Sequence, residues 1–260
     1  MTARPPLLEL VDITKNYGAI EALRGISFSV GRGEVVALLG DNGAGKSTLV
    51  KIIAGGLQPS SGHMVFEGQP YSANSPAEAK AHGIETVYQD LSLCTNVDVV
   101  ANFFMGRELT RKVLGIPVLQ EREMEAAVAK AMASAGTRIP SLRTKVEHLS
   151  GGQRQAIELN RFVHWGGKLV LLDEPFAALG VEQTRRGLEM IKNVAAQGIG
   201  VIIITHIMPQ AFQVADRIVV IRQGLVAGDV ATAQTSPDAV VRMITGESFA
   251  GAGPAVERSA

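Results

Sequence analysis

One short stretch, residues 40–47, most constrains what this chain can fold into, because it matches the pattern G-x-x-x-x-G-K-[ST]. The apolar run at residues 35–39 is short enough for a buried strand, and residues 48–54 can form a helix. Between a strand and a helix, glycines let backbone amides and the positive helix end surround one anion. The predicted phosphate-binding residues are Gly40, Asp41, Asn42, Gly43, Ala44, Gly45, Lys46, Ser47 and Thr48.

Two side chains of this loop have expected roles. Lys46 is expected to reach the terminal phosphates, and the Ser47 hydroxyl is expected to hold Mg²⁺. The alternative is a glycine-rich turn that carries a chance Lys-Ser pair, and the flanking strand and helix argue against it. The loop therefore predicts a site for a nucleoside triphosphate and Mg²⁺.

Composition excludes several functions. The 260 residues, 46% of them hydrophobic, are enough for one large domain or one domain with an inserted lobe. Lys plus Arg and Asp plus Glu total 25 each, so no net field attracts nucleic acid, and no nucleic-acid partner is expected. The longest apolar runs, such as residues 201–204, are far shorter than the ~20 residues of a membrane span. With no apolar signal core at residues 1–6, the chain is expected to be soluble and cytoplasmic by itself.

The chain has one cysteine, Cys94, which cannot form an internal disulfide and suits a reducing compartment. Its side chain is expected to be a small buried or half-buried hydrophobic group. No Cys and His residues have the spacing of a metal site.

The order of the remaining patterns predicts an α/β fold. The first ~35 residues alternate like antiparallel strands, and later apolar runs indicate buried strands of a mostly parallel sheet flanked by helices. Residues 91–161 are rich in Glu, Ala and Met, contain no strand-like run and indicate a helical subdomain inserted into the sheet domain. The predicted division is residues 7–90 and 162–246 for the two parts of the core, 91–161 for the helical subdomain, and 247–260 for a flexible tail.

Polar residues follow several predicted strands, at the edge where a doubly wound sheet binds its ligands. Asp173 and Glu174 end the apolar run 169–172, and adjacent buried carboxylates need a metal, a proton or an amide partner. We expect Asp173 near Mg²⁺ and Glu174 near the terminal phosphate, the alternative being a pair on a surface loop. Gln89 is either a ligand of Mg²⁺ or water or an ordinary loop residue. His206 is either a γ-phosphate contact or a structural histidine.

A second candidate anion site begins at Ser150. This residue is a good N-cap, and Gly151 and Gly152 leave amides open before the helix predicted at residues 156–164. By cap chemistry alone, a plain capped helix is the favoured interpretation. Tyr17, on a predicted turn, is either an aromatic that stacks on a base or a half-buried residue at a strand end.

Taken in order, the motifs resemble those of the ATP-binding subunits of ABC transporters, from about residue 7 to residue 246. The matching parts are the Walker A loop at residues 40–48, the Q-loop at Gln89, LSGGQ at residues 149–153, the Walker B strand at residues 169–173 with Glu174 after it, and the switch histidine His206. The resemblance implies the P-loop ATPase (ABC ATPase) fold, in which the inserted helical subdomain carries LSGGQ.

The same resemblance implies the site's chemistry. ATP and Mg²⁺ are the implied cofactors, with Ser47, Gln89 and Asp173 near the metal and Tyr17 against the adenine. The implied nucleotide contacts from the second anion site are Ser150, Gly151, Gly152 and Gln153. The implied catalytic residues are Lys46, Gln89, Glu174 and His206.

Within the family, residues 84–93 and 102–108 look like the branch that serves bacterial monosaccharide importers of the ribose and fructose type. The resemblance implies two copies meeting head to tail, a separate polytopic membrane permease, a position on the inner face of the membrane and, indirectly, an extracytoplasmic sugar-binding protein. The permease is expected to dock near Gln89 and residues 91–108, where an apolar seat and a core role are both open for Phe103, Phe104 and Met105. A non-transport ABC ATPase acting on a soluble macromolecule is the alternative. A P-loop kinase or GTPase would not require residues 149–153.

Two positions depart from the family pattern. Gly180 stands where most members have an Asp, which leaves Asp-mediated communication across the dimer in question. Phe176 replaces the Thr that commonly follows the Walker B proline, and it is expected to alter the positioning of water beside Glu174.

Overall fold

The computed structural model of the chain describes residues 6–87, 93–134, 139–165, 167–176 and 180–247. Its first part forms a four-stranded antiparallel sheet, as the alternating pattern predicts. The strands are β1 (Leu8–Tyr17), β2 (Ile20–Val30), β4 (Ser61–Phe66) and β5 (Gln69–Tyr71), in the order β2-β1-β4-β5.

A second sheet of six strands carries the predicted loop. Five strands run parallel: β3 (Val35–Leu39), β6 (Ile84–Val87), β9 (Leu169–Asp173), β10 (Gly200–Ile204) and β11 (Arg217–Arg222). The edge strand β12 (Leu225–Ala231) is antiparallel to β11, and the order is β12-β11-β3-β10-β9-β6. The β3 side chains are all buried, which explains its continuous apolar sequence, because a parallel sheet is covered on both faces.

The described helices are α1 (Lys46–Ile53), α2 (Pro76–Ala81), α3 (Val99–Phe104), α4 (Glu121–Ser134), α5 (Gly151–His164), α6 (Val181–Ala196), α7 (Met208–Val214) and α8 (Pro237–Thr245). Short 3₁₀ turns lie at Val146–His148 and Thr232–Gln234. Within the described ranges, none of the helices is both long enough and apolar enough to cross a bilayer.

Three apolar clusters hold these layers together. One face of the parallel sheet packs against α1 and the antiparallel sheet, and alternate residues of the same strands face α6, α7 and α8. The third cluster lies among α3, α4 and α5, away from both sheets, and contains Phe103 and Phe104. This separate core is the expected helical lobe, and its boundaries at residues 91 and 161 stay a prediction. Of the predicted tail, only Glu247 lies within the described residues.

Two expectations for the lobe are wrong. It is not free of strands, because β7 (Thr110–Val113) and β8 (Ile116–Leu119) form an antiparallel hairpin. Their turn residues Leu114 and Gly115 both have positive φ, at 52° and 82°, which suits a two-residue hairpin turn. Cys94 is exposed rather than buried or half-buried, and its backbone is held by the fully buried Asn102, which accepts from the Cys94 amide and donates to the Cys94 carbonyl oxygen.

The third cluster also decides between the docking role and the core role that were left open for Phe103 and Phe104. Phe103 and Phe104 are each 1% exposed, so they are core residues of the lobe. Met105, the next residue, is 45% exposed and stays available at the surface.

Candidate nucleotide-binding site

The phosphate loop lies between β3 and α1, and the close approach of neighbouring backbone atoms requires glycine at two of its positions. Gly40, Gly43 and Gly45 have φ values of 148°, 80° and 110°, a region that side chains disfavour. A Cβ atom at Gly40 would lie 2.1 Å from the carbonyl oxygen of Ile221, and one at Gly45 would lie 2.7 Å from that of Ala22. The loop can therefore follow this path only with glycine at these two positions.

Lys46 is the first residue of α1, and its side chain folds back over the loop. The Nζ atom donates to the carbonyl oxygens of Gly40 at 2.7 Å and Asp41 at 2.8 Å. Burial lowers the pKa of Lys46, and the negative charges of Glu174, Asp173 and Asp41 oppose that shift. The ammonium group of Lys46 is thus held over the loop, within the electrostatic field of Asp173 and Glu174. These carboxylates lie at the end of β9, which is separated from β3 by one strand, β10.

The two carboxylates lie at the end of β9, the buried strand between β6 and β10: Asp173 is its last residue and Glu174 follows it. Burial raises the pKa of Asp173, and the charge of Glu174 raises it further, against the opposing charges of Lys46 and Lys51. Glu174 has a left-handed φ of 48°, a conformation that costs about 1–3 kcal/mol in a residue other than glycine. Its amide donates to the carbonyl oxygen of Ile204 at 3.0 Å, so the neighbouring strand holds it in that conformation.

His206 follows β10, and its ring meets Glu174. The distance from Nδ1 of His206 to Oε1 of Glu174 is 2.9 Å. The histidine side chain is 68% exposed and the glutamate side chain 26%, so the pair lies at the surface of the sheet edge with its carboxylate partly covered. Two residues 32 positions apart in sequence are therefore brought into hydrogen-bonding contact beside the phosphate loop.

The second candidate site begins α5, which starts at Gly151, five residues before the predicted residue 156. Ser150 caps it: the Gln153 amide donates to Ser150 Oγ at 3.3 Å, and the Ser150 amide donates to Gln153 Oε1 at 3.0 Å. At Gly152, a Cβ atom would have no neighbour within 4 Å among the described residues, and the φ of Gly152 is not positive. Packing among these residues does not itself require glycine at that position.

The remaining predicted residues lie in the loop, at the end of β1 or outside the described part. Tyr17 ends β1 and is 47% exposed, with Lys15 Nζ 5.6 Å from its ring centroid. Asp41, Asn42 and Ser47 are exposed, and Thr48 lies in the first turn of α1. Gln89 lies outside the described residues.

Sequence reasoning missed the walls of the loop. Besides Ile221 and Ala22, the turn after β11 contributes, because the Gly224 amide donates to the carbonyl oxygen of Ala44 at 3.0 Å. A cleft of about 570 Å³ lies here, lined among others by Asn16, Glu21, Arg24, Gly43 and Gln223. It joins the region next to Tyr17 to the loop, which suits the base and sugar of a nucleotide. The Gln223-Gly224 turn was the available signal, since it follows a buried strand at the same sheet edge.

The fold and the glycine loop define the class of protein: a P-loop nucleoside triphosphatase with an added helical lobe. A family model described as ABC transporter matches residues 23–177. The chain belongs to this family, and the predicted family and fold class are confirmed. Its ATP-hydrolysing enzyme class follows from the same membership.

The chain is similar to proteins named for sugar import. It is 45% identical to the xylose/arabinose import ATP-binding protein XylG of Sulfolobus acidocaldarius, over 94% of this chain and 95% of that protein. It is 41% identical to the fructose import ATP-binding protein FrcA of Rhizobium meliloti, over 85% and 87%. It is 36% identical to the ribose import ATP-binding protein RbsA of Yersinia pestis, over 93% of this chain and 46% of that protein, so it spans about half of that relative.

Solved structures share the fold. A nucleotide-free ATP-binding cassette from an ABC transporter superposes with a TM-score of 0.76 at 25% identity, over 91% of this chain and 98% of that one. The ATP-binding cassette MJ0796, in a dimeric post-hydrolysis structure bound to ADP and Pi, superposes with a TM-score of 0.69 at 22% identity, over 86% and 98%.

Proposed function

We propose that this chain is the ATP-hydrolysing subunit that drives import of a monosaccharide through a separate membrane permease. The observation that carries ATP hydrolysis is the contact of Glu174 with His206, at 2.9 Å, beside the loop that holds Lys46. Three relatives named for the import of pentoses, fructose or ribose support the sugar. The alternative, a non-transport ABC ATPase, is not favoured because these relatives are import proteins.

The residues present fit ATP with Mg²⁺. The glycine cradle excludes side chains, so its amides can approach phosphate oxygens closely. The Ser47 hydroxyl and the Asp173 carboxylate are oxygen donors of the kind that Mg²⁺ prefers. Asp173, whose pKa is raised by burial despite the charges of Lys46 and Lys51, would gain a further positive charge from the ion. Bound there, Mg²⁺ would neutralise charge on the β- and γ-phosphate oxygens.

The protein groups then divide the work of hydrolysis. Glu174 accepts a proton from the attacking water, His206 holds the glutamate and steadies the γ-phosphate, and Lys46 moves from its carbonyl partners to the phosphate oxygens. Phosphate oxygens carry full negative charge, whereas the carbonyls of Gly40 and Asp41 are neutral, so the exchange is favourable.

Replacing the proposed base tests this chemistry. Glu174→Gln keeps the shape of the side chain but cannot accept the proton, so single-turnover ATP hydrolysis should slow by about 10²–10⁴-fold. Binding of ATP, measured by titration, should be retained. Glu189→Gln, an exposed carboxylate on α6 that pairs with Arg185, is the matched control and should hydrolyse ATP at the wild-type rate. An unchanged rate in Glu174→Gln would remove Glu174 from the role of base.

Gly152 supports the proposal that a second copy of the chain takes part in nucleotide binding. Glycine in a helix interior is less favourable than alanine by about 1 kcal/mol, and no atom of the described residues lies within 4 Å of a Cβ atom placed at position 152. Packing within the described part of the chain therefore does not explain this glycine. Close approach of a nucleotide held on the loop of a second copy would explain it, because the start of α5 offers amides and the positive end of a helix dipole.

A cleft between the lobe and the parallel sheet is the proposed seat for the permease, at the inner face of the membrane. It is lined by Glu85 of β6, Met105, Arg107, Arg161 and Trp165, among others. The Arg107 guanidinium lies 5.0 Å from the ring centroid of Trp165, and Met105 is exposed beside it. An amphipathic helix could place apolar side chains on Met105 and Trp165 and a carboxylate on Arg107.

Co-purification tests the seat. In the Met105→Ala, Arg107→Ala double variant, permease recovered with the ATPase should fall fivefold or more, since anchors at such interfaces contribute over ~1 kcal/mol each. Arg111→Ala, on the exposed β7–β8 hairpin, is the matched control and should leave recovery unchanged. Full recovery with the double variant would contradict the seat. Transport of a panel of monosaccharides by the reconstituted complex, with its extracytoplasmic binding protein, would identify the sugar.

A further inference from the structure

Phe176 fills a notch in α6 that only glycine can provide. The Phe176 side chain is 4% exposed and belongs to the apolar cluster between the parallel sheet and the helices α6 and α7. A Cβ atom at Gly187, in the interior of α6, would lie 2.3 Å from Cε1 and 2.9 Å from Cζ of this ring. The ring therefore occupies the volume that any other residue at position 187 would need.

This contact bears on the candidate site because Phe176 is two residues from Glu174. The amide of Glu174 is fixed to the carbonyl oxygen of Ile204, and the residue is held in a left-handed conformation. Pro175, which has a restricted φ, separates it from Phe176. The turn that carries Glu174 is thus fastened on one side to β10 and on the other side to α6.

The same cluster supports the partner of Glu174. The helix α7 begins two residues after His206, and its residues Met208 and Ala211 pack in the cluster that contains Phe176. The ring therefore belongs to the same apolar cluster as the helix that follows His206, and this cluster connects the two chain segments that bring the carboxylate and the imidazole to 2.9 Å. Its burial against α6 also means that any influence on the water beside Glu174 acts through this packing.

We propose that Phe176 and Gly187 form a matched ring and notch that position Glu174 for ATP hydrolysis. Phe176 is a positioning residue, since it acts through Glu174 and His206 rather than on the nucleotide. The inference rests on the proposed function, because it assigns the pair to hydrolysis by Glu174. A shift of a catalytic group by about 1 Å can slow a reaction by about 10²-fold, so a small displacement of this turn is measurable.

Gly187→Ala tests the proposal because the expected change in Tm has a definite direction. Alanine is favoured over glycine in a helix interior, so without the ring this substitution should raise Tm. With the ring present, the new methyl group must push Phe176 aside, so Tm should fall and single-turnover hydrolysis should slow by roughly 10- to 100-fold. The KM for ATP should change by less than about twofold, because the phosphate loop is untouched.

The double variant reverses that sign. In Phe176→Ala, Gly187→Ala, the methyl group has room, so Tm should be higher than in Phe176→Ala alone, and hydrolysis should be no slower. Because Phe176→Ala removes a buried ring, Phe176→Leu is the second background in which the same reversal is expected. Gly56→Ala, at an exposed glycine where a Cβ atom has only an ordinary contact at 3.5 Å, controls for the added methyl group.

A cycle with Glu174→Gln separates positioning from general destabilisation. If Gly187→Ala acts through Glu174, it should slow hydrolysis in the wild-type background and leave the residual rate of Glu174→Gln unchanged within about twofold. Equal slowing in both backgrounds, or an unchanged rate in Gly187→Ala, would overturn the inference. If Glu174→Gln alone hydrolyses ATP normally, the proposed role of Glu174 fails instead, and the two failures are distinct.

Discussion

Asp173 shows how a single residue needed for the chemistry can oppose the stability of the free protein. Burial and the charge of Glu174 raise the pKa of this carboxyl group, so the folded state disfavours its ionised form. For an acid with a raised folded pKa, stability is fully present at low pH and is lost as pH rises through the folded pKa. Above the ordinary carboxyl pKa, ionisation of Asp173 at the end of β9 therefore opposes the stability of the free protein.

Asp173→Asn should accordingly raise Tm of the nucleotide-free protein at neutral pH. The asparagine side chain has the same shape and cannot ionise, so the gain should shrink as pH falls toward the ordinary carboxyl pKa of about 4. Thermal unfolding from about pH 8 to about pH 4, without nucleotide or Mg²⁺, measures it. A lower Tm for Asp173→Asn at neutral pH would contradict this assignment. Glu189→Gln, on the exposed surface of α6, controls for the loss of one charge.

At the scale of an element, α5 combines a structural cap with the second anion site. Removing the cap in Ser150→Ala should cost about 1 kcal/mol and lower Tm by roughly 2–4 °C. Ser236→Ala is a matched control, because Ser236 Oγ caps α8 in the same way by accepting from the Ala239 amide at 3.3 Å. Both variants should lose similar stability, and only Ser150→Ala should also lose ATP hydrolysis. Equal hydrolysis in both would limit Ser150 to its cap.

The elements also show how far sequence patterns carry. The loop, the strand before it and the Ser150 cap of α5 follow from local rules, and the structure has all three. The β7–β8 hairpin was missed because its four-residue strands are fully exposed and lack the alternation that a buried face imposes. Local patterns say nothing of contacts distant in sequence. Neither the 2.9 Å contact of Glu174 with His206 nor the notch at Gly187 could be found in that way.

The same distinction between local patterns and contacts distant in sequence applies to the site residues. Lys46 and Asp173 could be placed from the strand that precedes each, because the carboxyl ends of parallel strands share one edge. The contribution of Ile221 and Ala22 to the loop could not be predicted from the sequence, since it depends on the order of strands and on the packing of two sheets. The prediction for Cys94 was wrong because the burial of a single small side chain depends on tertiary packing, which a residue type alone does not reveal.

At the scale of the whole molecule, the arrangement predicts dimerisation that depends on ATP. The Glu174→Gln variant, which binds ATP but hydrolyses it slowly, should sediment as a dimer with ATP and Mg²⁺ and as a monomer without them. Adding Gly152→Ala to it should abolish the dimer. The methyl group should still raise Tm of the monomer slightly, because alanine is the better helix former. A Gly152→Ala variant that dimerises normally would contradict a nucleotide contact at the start of α5.

The residues that surround the phosphate loop limit when, during synthesis, the binding site can form. Residues 40–47 emerge early in synthesis, yet the Ile221 carbonyl that Gly40 touches and the Gly224 amide that binds Ala44 are made much later. From residue 47 to residue 224 is 177 residues, which at ~5–20 residues per second is roughly 9–35 s of translation. A nascent chain therefore carries the binding motif long before it has a complete binding site, and nucleotide can assist folding only after residue 224 has been made.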